Sequence, residues 1–249
     1  MSDGPATGVG GEAAVWHDVE CGAYAADLAL WRELAHEAAG PVLELGCGTG
    51  RVALDLAAAG HEVTGVDTDR ELIAALSERA AERGVDVEAV VADARELDLG
   101  REFALVCAPM QFVHLLGPSG RVAMLRRVRA HLGPGGRLAA AMLAGYTAPV
   151  MDAGPPPLPD VREIDGWIFS SQPLDARAVE GRIAVRRLRQ RVSPAGDLRE
   201  YVDVIELDEL APQALEGEAL ALGFAPAERI EIPPTPDHVG STVVVLEAA

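Results

Sequence analysis

Lysine and asparagine are both absent from the 249 residues, so all 21 basic side chains are arginine. No Schiff-base or general-base lysine, no Gly-Lys-Ser/Thr phosphate loop and no Asn-x-Ser/Thr glycosylation site can therefore exist. Cysteine is scarce: Cys21, Cys47 and Cys107 are an odd number with no Cys-x-x-Cys spacing. That excludes a disulfide framework and zinc-knuckle ligation, and fits a reducing compartment. Positive charge is also short, with 21 basic against 39 acidic residues and a formal net charge of -18. Phosphate neutralisation dominates nucleic-acid affinity, so nucleic acid is not expected as the main partner. An anionic membrane surface is disfavoured for the same reason. No apolar run approaches the roughly 20 residues of a spanning helix. Residues 1–15 carry neither a basic flank nor an apolar signal core; they read as a loose, flexible N-terminus on a cytoplasmic protein.

What is present is an ordinary globular composition, 49% hydrophobic and 24% charged, on a length suited to one domain, here residues 16–249. Up to about residue 145 the pattern alternates. Residues 24–38 are a helix, with Leu28, Trp31, Leu34 and Ala35 on one face, stopped by Gly40-Pro41. Residues 42–45 are a short apolar strand, 51–59 a helix, 62–66 a strand and 69–83 a helix closed by Gly84. Strands follow at 85–91, 103–107 and 137–143, with a short helix near Leu116 and a longer one at 121–132. Such alternation implies a parallel sheet covered by helices on both faces.

The rhythm then breaks. Residues 154–159 (GPPPLP) are too proline-rich for helix or central strand. Three β-like runs follow at 166–171, 182–192 and 198–207, the last two flanking a five-residue hairpin loop, Ser193 to Asp197. A helix at 211–222 and strands at 228–232 and 241–246 close the chain. Residues of about 155–208 are thus an antiparallel β insertion in a single α/β domain.

The strongest chemical signal is VLELGCGTGR, residues 42–51. A strand feeding a glycine turn that opens a helix brings backbone N–H groups and a positive helix end to the carboxyl edge of the sheet. A dinucleotide site would want Gly-x-Gly-x-x-Gly, but Arg51 stands at the third glycine position, and Gly46, Gly48 and Gly50 give Gly-x-Gly-x-Gly. A nicotinamide dehydrogenase is disfavoured on that ground. Asp67 ends the second strand about 20 residues beyond the first glycine, where an acid can accept both hydroxyls of a ribose. Asp93 follows the third strand. Each acid alone reads as a solvated strand end or helix cap; their succession at consecutive strand ends is the signal.

This segment resembles the cofactor loop of class I S-adenosylmethionine-dependent methyltransferases, for which Glu-Leu-Gly-Cys-Gly-Thr-Gly is a specific string, and the likeness runs in order from about residue 15 to 145. The resemblance implies a Rossmann-like, seven-stranded, mostly parallel sheet with an antiparallel last strand. It implies S-adenosylmethionine as cofactor and S-adenosylhomocysteine as product. Gly46, Cys47 and Gly48 would pack their backbone against the methionine part, Gly50 belongs to the same cofactor-binding loop, and Glu44 would orient the amino group directly or through water. Asp67 would hold the ribose with Thr68 beside the adenine, and Asp93 and Ala94 would read the adenine. Tyr24 would border the sulfonium, where an aromatic face favours a cation; Ala108, at the end of the fourth strand, completes the candidate set.

The acceptor should sit beyond that fourth strand, at Cys107-Ala108-Pro109-Met110-Gln111-Phe112-Val113-His114-Leu115. Enzymes acting on nucleobase amines carry Asp/Asn-Pro-Pro-Tyr/Phe here, and magnesium-dependent catechol-type enzymes a metal-binding aspartate where this chain has Ala108. Neither pattern is present, and no metal is expected. Val113-His114-Leu115 is similar to the Gly-His-Leu of amino-sugar N,N-dimethyltransferases, which makes His114 the candidate base; a backbone-bonded cap is its plain alternative. His17 is a second candidate. Trp167, Phe169 and Tyr201 are candidate acceptor-pocket aromatics. Arg182, Arg186, Arg187, Arg189 and Arg191 share one strand, and pairing the hairpin sets Arg187 opposite Asp203 and Gln190 opposite Glu200, which reads as charge pairing on a solvated face.

The expectation is an enzyme that moves a methyl group to the nitrogen or oxygen of a small-molecule acceptor, an amine or sugar-like natural product first, acting as a monomer or homodimer. The alternatives are methylation of a peptide or protein N-terminus, and a non-catalytic S-adenosylmethionine-binding protein.

Overall fold

The computed structural model describes residues 11–143, 158–235 and 238–249. Its main sheet is built from β1 (Val42–Leu45), β2 (Val63–Asp67), β3 (Glu88–Val91), β4 (Phe103–Ala108), β5 (Leu132–Leu143), β10 (Phe224–Ile232) and β11 (Ser241–Ala248). A second sheet contains β6 (Asp160–Ile164), β7 (Trp167–Val179), β8 (Arg182–Val192) and β9 (Leu198–Asp208). The helices are α1 (Glu12–Cys21), α2 (Leu28–Ala38), α3 (Arg51–Ala58), α4 (Arg70–Arg83), α5 (Gly117–His131) and α6 (Pro212–Leu220), with a 3-10 turn at Phe112–Leu115.

The main sheet has the order β10-β11-β5-β4-β1-β2-β3. β1 pairs in parallel with both β2 and β4, while β11 runs antiparallel to β5 and to β10. Order therefore reverses between β1 and β4, and ligands of open α/β sheets bind at the carboxyl ends beside such a point. Period-two alternation decides which face each side chain joins. Leu43 and Leu45 pack with Val106, Leu138 and the α5 residues Met124 and Val128. Val42 packs on the other face, with Trp31 and Leu34 of α2, Leu54 of α3 and Leu76 of α4. The α4 start is set by Asp69, whose carboxylate accepts the backbone N–H of Glu71 at 2.8 Å.

The insertion is a four-stranded antiparallel sheet in the order β6-β7-β8-β9. Two tight turns build it, Asp165-Gly166 and Glu180-Gly181, with all four residues at positive φ, the backbone of a two-residue hairpin. The expected runs are present, but β7 continues to Val179 across Pro173, where a register shift accommodates the missing N–H. β6 was not anticipated; Asp-Gly at 165–166 was the signal for it. The proline-rich run falls mostly outside the described residues, as do residues 1–10.

One boundary is corrected. Helix α1 begins at Glu12, inside the stretch read as a loose N-terminus. Val15, Trp16 and Val19 bury against Phe169 of β7, so the insertion supplies the apolar surface that orders it.

Candidate active site

A cavity of about 570 Å³ opens at the carboxyl ends of β1, β2, β3 and β4. Its wall includes Glu44, Gly46, Cys47, Asp67, Thr68, Asp93 and Ala94, which the sequence places at successive strand ends. The glycine turn forms the floor. Gly46 and Gly48 have φ of 63° and 55°, and a methyl group on Gly46 would meet the Phe112 ring at 2.5 Å. Asp67 is held in register by two backbone donors: Gly48 N–H gives to Oδ2 and Asp69 N–H to Oδ1, each at 3.0 Å. Asp93 is turned toward Arg95, whose backbone N–H and guanidinium both donate to it, at 2.8 and 2.5 Å. That hydrogen-bonded arginine holds the Asp93 carboxyl below its ordinary range.

Glu44 is the most informative side chain. It is 3% exposed, and its Oε2 is a buried oxygen with no hydrogen-bond partner. Burial pushes its pKa up to about 8. Arg51 offsets this only in part, because it grips Asp27 through both terminal nitrogens, at 2.6 and 2.8 Å, and also donates to the Tyr24 carbonyl.

Four cofactor candidates do not line the cavity. Ala108 is fully buried in the core beneath it. Gly50, at φ 88°, starts α3 against Leu76. Gly48 lies under the His17 ring. Tyr24 is 7% exposed and stacks between Arg51 and His238, with the latter ring at 4.8 Å.

His114 is also elsewhere. It is 3% exposed; its Nδ1 donates to the Asp208 carbonyl at 2.8 Å and its Nε2 accepts from Leu143 N–H at 3.2 Å. Both ring nitrogens are committed, so the imidazole has no lone pair for an acceptor proton. It pins the 3-10 turn to the ends of β5 and β9. Burial lowers its pKa, in keeping with a neutral ring.

Helix α1 supplies the wall facing the glycine turn, through Ala13, Trp16, His17 and Glu20. That spacing is one helical face and is visible in the sequence. His17 Nδ1 gives its proton to Thr49 Oγ1, whose own proton goes to Asp18 at 2.8 Å. Nε2 is left facing Gly48. Burial lowers the His17 pKa.

On the insertion side the wall consists of Arg189 and Ile205. Trp167, Phe169 and Tyr201 do not reach it; Phe169 and Tyr201 pack edge-on against Trp16. The hairpin register pairs Arg187 with Asp203 and Gln190 with Glu200. The face of Arg182 and Arg186 is solvated, with their side chains 50% and 37% exposed, but the opposite face is not. Arg187, Arg189 and Arg191 have side chains only 12–16% exposed. Arg187 pairs with Asp160, and Arg189 pairs with Glu20 at 2.7 Å and with Asp203 at 3.2 Å. Among the described residues no group of three or more His, Cys, Asp or Glu is placed to hold a metal ion, and no helix is long and apolar enough to cross a membrane.

Comparison with known proteins follows the same division. Residues 42–136 match the family described as a methyltransferase domain. A cypemycin N-terminal methyltransferase from Streptomyces sp is 38% identical over 96 residues, a match that spans 38% of this chain and only 38% of that relative's length. An amino pentose methyltransferase from Micromonospora echinaspora, solved with S-adenosylmethionine, superposes with a TM-score of 0.70 at 22% identity, over 94% of this chain and 97% of that one. A sugar N-methyltransferase from Streptoalloteichus sp superposes at 0.72 with 19% identity, over 98% and 96%. Residues 42–136 thus match a methyltransferase-domain family, and the chain as a whole shares its fold with these two sugar methyltransferase structures.

Proposed function

We propose that the protein transfers a methyl group from S-adenosylmethionine to the nitrogen of an amine on a small, sugar-like acceptor. The cofactor fits the residues present. Glu44 Oε2 is a buried acceptor without a donor, and the cofactor's ammonium supplies one. The side chains of Asp67 are pre-oriented for ribose hydroxyls, and the Gly46 floor lets an extended ligand lie against backbone. When bound, the cofactor supplies an activated methyl on a sulfonium; the chain's task is to align the attacking atom and exclude water.

Nitrogen over oxygen is favoured by the double hydrogen bonding of His114, which removes that candidate base and leaves His17 as the imidazole on the cavity wall. A neutral amine attacks without a base, whereas a hydroxyl needs its proton removed. Acceptor entry would lie between Met110, Gln111 and Leu115 on one side and Ile205, Arg189 and Trp16 on the other. Glu20 and Arg189 neutralise each other there, which favours an uncharged acceptor surface. The amino pentose and sugar N-methyltransferases superpose over more than nine-tenths of the chain, including the insertion, and so support this class.

A second reading, methylation of a peptide N-terminus, rests on the 38% identity to the cypemycin enzyme. Incubation with methyl-labelled S-adenosylmethionine and two panels, amino sugars and short peptides with free N-termini, separates the two. Label on an amino sugar supports the proposal. Label on peptides alone transfers the function to the second reading, and cofactor binding with no label in either panel argues for a non-catalytic binding protein.

A further inference from the structure

Glu44 combines three features that the cofactor contact alone does not explain. It is buried, one oxygen has no donor, and the adjacent cation is spent elsewhere. The groups around it come from every neighbouring element. Arg51 and the Ala53 N–H face it from α3, Asp27 from the start of α2 and Asp67 from the end of β2. Cys47 in the glycine turn and Cys107 on β4 also feel its charge. Two of these neighbours are acids, and the one arginine is held by Asp27 through both its terminal nitrogens. A carboxylate there has no counterion of its own.

We infer that Glu44 is a neutral carboxylic acid in the cofactor-free protein and loses its proton only against the ammonium of the methionine moiety, so that cofactor binding releases about one proton. The inference rests on the cofactor reading above. It makes Glu44 a specificity-determining residue, because a ligand with the same nucleoside and sulfur but no amino group leaves the acid protonated. The proton balance is simple. Glu44 O–H breaks, the proton passes to buffer, and the carboxylate pairs with a bound ammonium that was already charged in solution.

Burial is the dominant cause, setting the Glu44 pKa near 8 in the free protein. Below that value the free state holds a proton that the bound state lacks, so binding strengthens as pH rises. The linkage slope is up to about tenfold in affinity per pH unit below pH 7, flattening toward pH 8. His17 also lines the cavity, with a lowered pKa. Burial thus favours its neutral form, and the measurement is placed at pH 7, above the ordinary imidazole value, where His17 has little proton to release.

Titration calorimetry of the whole protein at pH 7, in two buffers of different ionisation enthalpy, tests this with S-adenosylhomocysteine and with 5′-methylthioadenosine, which lacks the amino acid portion. About one proton released with the first ligand and none with the second is the expected result, and E44Q should abolish the release while the variant still binds methylthioadenosine. Buffer-independent binding of S-adenosylhomocysteine overturns the inference. Equal release with both ligands overturns it too, since the proton then comes from another group. Failure of both ligands to bind the wild-type protein instead removes the cofactor reading itself.

Discussion

Arg51 and Asp27 form a two-pronged ion pair, with Nη1–Oδ1 at 2.6 Å and Nη2–Oδ2 at 2.8 Å, whose side chains are 10% and 2% exposed. This pair explains why the residue that breaks the dinucleotide glycine pattern is an arginine. It ties the first turn of α3 to the segment that enters α2, and the same Asp27 accepts the Trp31 indole N–H at 2.8 Å. Glu44 feels the same guanidinium only at a distance and has no cation of its own.

Breaking that pair from one side leaves an uncompensated buried charge. Asp27→Ala is expected to lower stability by about 3–5 kcal/mol. The double replacement Arg51→Met with Asp27→Leu should cost less than either single change. Urea unfolding at pH 7 checks both; additive losses would show that the two residues act separately.

His114 is predicted to matter for stability and not for cofactor affinity. His114→Ala removes two buried hydrogen bonds and should cost about 1–3 kcal/mol, with the S-adenosylhomocysteine dissociation constant unchanged within twofold. A variant that keeps its melting temperature but loses cofactor binding would contradict this placement.

Acid sensitivity follows from the two buried imidazoles. Burial holds the folded pKa of both His17 and His114 below the ordinary 6.5. From pH 6.5 downward the unfolded chain therefore binds protons that the folded chain resists, so the histidine contribution to stability falls as pH drops from 6.5 toward the folded values and levels off below them. Glu44, whose folded pKa is raised to about 8, acts in the opposite direction over the same range, so the test is a comparison: His114→Gln should raise the urea midpoint at pH 5.5 relative to that at pH 7.5 when set against the wild-type protein.

The glycine turn offers a paired comparison. Gly46 and Gly84 have almost the same φ, 63° and 64°, but a methyl group on Gly46 meets Phe112 while one on Gly84 meets nothing within 4 Å. Gly84→Ala should cost about 1 kcal/mol of backbone strain and leave cofactor affinity alone. Gly46→Ala should add loss of S-adenosylhomocysteine binding of at least tenfold. Calorimetry on the two folded variants distinguishes them, and equal affinities would remove Gly46 from the site.

Asp18 is predicted to hold α1 over the cavity. It accepts from the Thr49 hydroxyl at 2.8 Å and pairs with Arg79 at 2.5 Å and Arg162 at 2.8 Å, joining the glycine turn, α4 and β6. Burial works against its charge, but the Arg79 and Thr49 hydrogen bonds outweigh burial and hold the carboxyl below the usual range. Asp18→Asn should speed amide exchange through α1 and raise the S-adenosylhomocysteine dissociation rate several-fold. Unchanged exchange at Val15, Trp16 and Val19 would mean that apolar packing on Phe169 is sufficient.

The alternation of short apolar strands with amphipathic helices, the glycine turn and the acids at consecutive strand ends were all legible before any coordinates. Each is a local property: a period of two or 3.6, a backbone that needs positive φ, a carboxylate two residues from the N–H that orients it. The parallel sheet then follows, because strands separated by helices can pair in only a few ways. Cofactor residues at those strand ends are brought together by that topology, and the cavity wall is where they meet.

The acceptor side was decided by tertiary structure. His114 was attractive as a base because its neighbours in sequence say nothing of Asp208, 94 residues away, whose carbonyl takes its proton. Of the β8 arginines, Arg182 and Arg186 lie on the solvated face that cross-strand pairing implies, whereas Arg189 is covered by Glu20, 169 residues away and outside the reach of any local pattern. Helix α1 is held by partners distant in sequence, its apolar face against Phe169 of the insertion and Asp18 against Thr49 and Arg79. Long-range hydrogen bonds and ion pairs depend on which surfaces the fold brings within reach, and that information is spread over the whole chain, whereas the glycine turn needs only the ten residues that form it.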